Sequence, residues 1–144
     1  HQISGRTYHK PIFNTPSGRA IAHSIHWIPE EPLQQNELRL MTIRSEGQFN
    51  TVVYEEEDIF RGQTRRDIIM LNREDAQAIG VEENVQILVC GPGGELNVTA
   101  RYVDISKGNC AMYFPEANIL LSHEVDQESK TPLFKGTRIT IHIS

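Results

Sequence analysis

Apolar residues in this chain recur in short runs separated by polar stretches bearing glycine or proline. That spacing predicts many short strands and few helices. Residues 19–28 (RAIAHSIHWI) alternate, with Ile21, His23, Ile25 and Trp27 on one side, and are predicted as a strand that follows the turn Thr15-Pro16-Ser17-Gly18. Residues 29–37 (PEEPLQQNE) are polar, hold two prolines and read as a connector. Strands are then expected over 38–44, 67–71, 85–90, 95–103, 110–114 and 138–143. Gly91-Pro92-Gly93-Gly94 joins the third and fourth of these as a β-hairpin. Asn72 caps a helix whose first turn is acidic (Glu74, Asp75), and Gly80 stops it. Residues 55–66 are charged and expected to be exposed, the run Glu55–Asp58 as a solvated face. Residues 115–135 read as irregular or weakly helical. The sum is a mainly β domain, closed or nearly closed, with one or two short helices on its rim and no internal repeat.

Composition narrows the class. The 144 residues suit one domain, and 38% hydrophobic with 23% charged is ordinary for a globular protein. No apolar run is long enough to cross a membrane as a helix. The opening HQISGRTYHK is polar, lacks a secretory h-region and lacks methionine, so the chain reads as a fragment of something longer. A formal charge of −5 gives no support to general nucleic-acid binding, yet leaves open an anionic small ligand held by local groups. Cys90 and Cys110 form no C-x-x-C pair and fall in strand-like runs. They are expected to be inert, without a zinc or iron–sulfur site in this chain, in a reducing, cytoplasmic setting.

Candidate chemistry concentrates in one place. The six histidines do not converge on a ligand set, and no G-x-S-x-G, P-loop or G-x-G-x-x-G opens a helix. Residues 42–51 (TIRSEGQFNT), in contrast, put a guanidinium, hydroxyls, two side-chain amides and a glycine turn within one loop. Such a turn can present backbone N–H groups to phosphate, with Arg44 adding a charge-assisted bond. Gln48 and Asn50 carry donor and acceptor on one planar group, matching the edge of a pterin or purine. Read from composition alone, the stretch is better taken as a polar loop joining two strands, since such loops are the default.

LMTIRSEGQFNT (40–51) resembles the opening of the molybdopterin-dinucleotide-binding domain of formate dehydrogenase-like alpha subunits. Three further segments resemble that family in the same order: FNTPSGRA (13–20), LNREDAQAIGVEENVQILV (71–89) and PEANILLSHEVDQESKTPLFK (115–135). The resemblance implies a six-stranded double-psi β-barrel of the aspartate decarboxylase-like kind over 38–144, with 1–37 a lead-in from the preceding part of a parent chain. It implies one wall of a cleft for bis(molybdopterin guanine dinucleotide) on molybdenum or tungsten, with no catalysis by the domain alone. Carried over by position, Arg44, Ser45 and Gly47 would contact phosphate and pterin. Gln48, Asn50 and Thr51 would bond pterin or neighbouring atoms, and Asn118 and Lys135 would face the cofactor from the later loop. Arg44, Gln48, Asn50 and Asn118 should then line one concavity. Gln48 and Asn50 stand where several relatives have histidine and serine. No residue here is a metal ligand or catalytic group. The metal ligand and any iron–sulfur cluster would lie upstream, and the partners would be the upstream domains or other subunits, with neither nucleic acid nor membrane.

Two rivals remain. A self-processing decarboxylase on the same barrel needs a Gly-Ser bond, and the chain has none. A cofactor-free barrel serving as a protein-interaction module is allowed by the fold, since fold does not fix function.

Overall fold

The computed structural model describes residues 12–26, 29, 31–127 and 129–143, which divide into two units, His1–Glu31 and Pro32–Ser144. In the first, Gly18 (φ +64°) closes the expected turn, its N–H donating to the Thr15 carbonyl at 2.9 Å. The expected strand over 19–28 is not formed across the described residues 19–26. Alternation makes a strand only where a neighbour completes the ladder, and here Ile25 is 93% exposed. Trp27 and Ile28 lie outside the described residues.

The second unit holds β1 (Glu37–Ile43), β2 (Ile68–Leu71), α1 (Arg73–Ile79), β3 (Gln86–Gly91), β4 (Gly94–Tyr102), β5 (Asn109–Tyr113), a 3-10 helix (Glu116–Leu120) and β6 (Lys135–Ile143). The six strands close into a barrel in the order β1-β5-β2-β4-β3-β6. Pairs β1/β5 and β2/β4 are parallel and the other four antiparallel. Exchanging the first three strands for the last three leaves this pairing unchanged. The two halves therefore repeat in space although their sequences do not.

Strand alternation sorts the core. Leu38 and Leu40 of β1, Ile87 and Val89 of β3, Cys110 and Met112 of β5, and Ile139 and Ile141 of β6 fill the interior. Each such fully buried aliphatic side chain contributes roughly 1.5–3 kcal/mol. β2 is buried on both faces: Ile69 and Leu71 point inward, while Ile68 and Met70 join Ala111 and Tyr113 in a second cluster. α1 forms where expected. Asn72 Oδ1 accepts from the Glu74 N–H at 2.8 Å, and Gly80 ends the helix at φ 87°. The Gly91–Gly94 hairpin is also present. Its glycines serve a close approach: a Cβ on Gly93 would lie 2.0 Å from the Leu121 carbonyl oxygen. The hairpin thereby seats the end of the 3-10 helix, with the Gly93 N–H donating to the Leu120 carbonyl at 3.2 Å.

Candidate functional site

Three chain segments reach one end of the barrel for a topological reason. β1 and β5 run parallel and finish together, Ile43 opposite Tyr113, so Arg44 emerges beside Phe114. The Phe114 N–H donates to the Ile43 carbonyl at 2.8 Å, and the Arg44 guanidinium lies 5.2 Å from the Phe114 ring centre. β6 runs antiparallel to β1 and begins at that same end. There Gly136, at φ 71°, is the extra residue of a bulge opposite Leu40 and Met41. The bulge aims Lys135 back at β1, where its Nζ donates to the Thr42 carbonyl.

Between these segments lies a cavity of about 790 Å³, lined among others by Arg44, Arg61, Phe114, Asn118, Phe134 and Lys135. Its wall carries the cationic side chains Arg44, Arg61 and Lys135 and no carboxylate among the described residues, with Thr42, Asn118, Ser122 and His123 as its other polar groups. Burial and the neighbouring Arg44 charge hold the Lys135 ammonium below its usual pKa. An anion entering here would relieve that repulsion. The volume lies within the usual range for small-molecule sites, about 300–1,000 Å³.

The residues expected to share this concavity separate. Arg44, Asn118 and Lys135 line it. Gln48 does not: it is buried, and its amide is consumed by the chain itself. Its Oε1 accepts from the Ser45 N–H (2.8 Å), the Ser45 hydroxyl (3.1 Å) and Arg66 (3.1 Å). Its Nε2 donates to the Val53 (2.6 Å) and Phe114 (3.0 Å) carbonyls. Gln48 therefore bonds neighbouring polar atoms, one of the two roles expected of it, and what is corrected is its place in the concavity: both amide hydrogens are donated within the chain. Ser45 is buried as its partner. The space a side chain on Gly47 would need is filled by the Glu55 carboxylate, 2.6 Å away. Asn50 and Thr51 form the exposed corner of a second turn, closed by reciprocal Phe49–Val52 backbone bonds, and do not line the cavity. The loop is two consecutive turns held from beneath.

What holds it differs from the expected solvated face. Residues 55–66, expected to be exposed, contribute two buried charges, Asp58 and Arg66. Arg66 donates from Nε to Glu116 Oε1 at 2.6 Å, from Nη2 to the Phe114 carbonyl, and from Nη1 to the Glu55 carbonyl. It also lies 4.9 Å from the Tyr54 ring centre and 4.8 Å from that of Tyr113. Asp58 accepts from the Tyr113 hydroxyl at 2.8 Å and from Arg61 Nη1 at 2.5 Å. Burial pushes its carboxyl up, but these hydrogen bonds outweigh burial and hold it below the usual value. Nothing in the local pattern distinguishes these two charges from their solvated neighbours. Cys110 is buried and its thiol is pushed up by burial, while Cys90 is half-buried. No group of three His, Cys, Asp or Glu that could hold a metal occurs among the described residues.

Comparison with known proteins places the chain in a family. Residues 38–138 match the family described as the molydopterin dinucleotide binding domain. An uncharacterized oxidoreductase of Mycobacterium tuberculosis is 32% identical over 141 residues, covering 86% of this chain and 17% of the relative. Protein YdeP of Escherichia coli is 28% identical over 144 residues, covering 90% of this chain and 19% of the relative. The chain thus spans under a fifth of the length of the relatives it matches. Among solved structures, acetylene hydratase from Pelobacter acetylenicus superposes with a TM-score of 0.57 at 18% identity, over 74% of this chain and 18% of that one. That likeness shows the fold alone. The barrel is a double-psi β-barrel, and the chain belongs to the molydopterin dinucleotide binding domain family.

Proposed function

We propose that residues 38–144 form one wall of the cofactor cleft of a larger molybdenum- or tungsten-dependent oxidoreductase of the formate dehydrogenase-like group, with residues 1–37 leading in from the rest of that protein. In this reading the cavity takes the phosphate-bearing part of a pyranopterin guanine dinucleotide. The observation that carries it is the wall itself: Arg44, Arg61 and Lys135 face one space whose lining holds no carboxylate, the Asp58 partner of Arg61 being buried outside that lining. The RSEGQFNT form of the loop supports the subgroup, and the oxidoreductase relatives support the reaction class.

When bound, the dinucleotide carries the metal and supplies the redox chemistry. This chain's residues bind and orient. Arg44 offers a planar fork suited to phosphate oxygens, Lys135 a point charge, and Asn118 a donor and acceptor on one plane. The isolated chain catalyses nothing and holds the dinucleotide weakly, because one wall leaves the ligand partly solvated. A metal ligand and any iron–sulfur cluster belong to upstream domains, which are the partners expected in a cytoplasmic enzyme. A cofactor-free interaction module is not favoured, given the family match.

The test is retention. Molybdenum or tungsten and guanine nucleotide are measured per mole of purified parent, native and Arg44→Ala. Loss in the variant supports the reading, and full occupancy overturns it.

A further inference from the structure

Arg61 belongs to none of the motifs described above, yet it lines the same cavity as Arg44. Its side chain is not a loose surface cation. Nη1 is held by Asp58 Oδ2 at 2.5 Å and donates to the Arg44 carbonyl at 3.2 Å, and the Arg61 N–H donates to Asp58 Oδ1 at 3.2 Å. Asp58 is itself fixed: its side chain is 1% exposed and accepts from the Tyr113 hydroxyl, at the end of β5. The Arg61 side chain, in contrast, is 42% exposed. One edge of the guanidinium is thus anchored into the barrel. Nε and Nη2 have no partner among the described residues, which leaves that side of the fork free to donate.

Resting on the dinucleotide reading above, we propose that Arg61 is a second phosphate-binding residue of this cavity, with Asp58 and Tyr113 as its positioning residues. Arg44 and Arg61 then form a pair whose spacing is set by the Arg61–Arg44 carbonyl bond. The pair suits two linked phosphates, as in a pyrophosphate bridge. Anchoring removes side-chain freedom before the ligand arrives, so less is lost on binding. The Asp58 carboxylate reduces the net charge of Arg61 without occupying its free donors. Its contribution is therefore directional hydrogen bonding more than long-range attraction.

The experiment uses this 144-residue chain and inorganic pyrophosphate at millimolar concentration, read by NMR of the arginine Nε–Hε resonances. Pyrophosphate should shift the Arg61 and Arg44 signals together. Arg61→Gln should weaken binding about tenfold, the loss of one charge-assisted contact. Asp58→Asn should weaken it by a smaller factor and broaden the Arg61 signal. Pyrophosphate shifting Arg44 while leaving Arg61 unmoved would overturn this proposal and leave the dinucleotide reading standing. Absence of any shift in the native chain would also overturn this proposal, while the dinucleotide reading stands or falls on cofactor retention in the parent. The native-chain titration decides the matter even if a variant fails to fold.

Discussion

Arg66 and Glu116 are 50 residues apart in sequence and form an ion pair at 2.6 Å, the arginine side chain 5% exposed. The pair ties the region beneath the Arg44 loop to the first residue of the 3-10 helix that carries Asn118. The two sides of the cavity are therefore referenced to one buried guanidinium.

Breaking that pair from the arginine side should be severe. Arg66→Ala leaves Glu116, Gln48 and two carbonyls short of a donor, and a broken buried pair costs about 3–5 kcal/mol. Urea unfolding of the two chains compares them directly. A loss under 1 kcal/mol or so would mean that water replaces the guanidinium freely.

Arg44 and Gln48 should separate stability from binding. Gln48→Ala strands the Ser45 and Arg66 donors and should destabilise by about 1–3 kcal/mol. Arg44→Ala removes an exposed side chain and should leave the unfolding midpoint nearly unchanged while lowering dinucleotide retention in the parent. If Gln48→Ala proved as stable as the native chain, the amide would not be the strut that its hydrogen bonds indicate.

Gly93 tests the seating of the 3-10 helix. A Cβ there would lie 2.0 Å from the Leu121 carbonyl oxygen, a backbone atom that cannot swing aside as a flexible side chain would, so something must shift. Gly93→Ala should cost about 1–3 kcal/mol, the range for overpacking. Amide shifts should change at residues 118–121 more than in α1. Native-like shifts there would show that the hairpin gives way instead.

Asp58 gives a pH dependence with a defined sign. Its folded pKa lies below the unfolded 3.8, so the stabilisation is complete above that value and is lost as pH falls through the folded pKa. Denaturant midpoints of the native chain should therefore fall below about pH 4, where unfolded carboxyls bind protons first. Asp58→Asn should be less stable near neutrality and lose less on acidification. Parallel acid profiles for the two proteins would remove Asp58 from the account.

Where local chemistry decides, the sequence by itself determined the result. Apolar runs placed all six barrel strands to within a few residues, Asn72 and Gly80 bounded α1, and Gly91–Gly94 closed a hairpin. These are short-range facts: side-chain period, caps and turn residues act within a few positions. The alternating stretch at 19–26 shows the limit, since the same period without a pairing neighbour makes no strand. Tertiary structure alone decided which polar groups are free. Gln48 and Arg44 look alike in a polar loop, but five internal bonds consume Gln48 while Arg44 faces the cavity. Asp58 and Arg66 sit among solvated charges in sequence and are buried in the fold. A sequence lists donors and acceptors. Which partner spends each one is set by contacts between residues far apart along the chain, and these exist only once the barrel has closed.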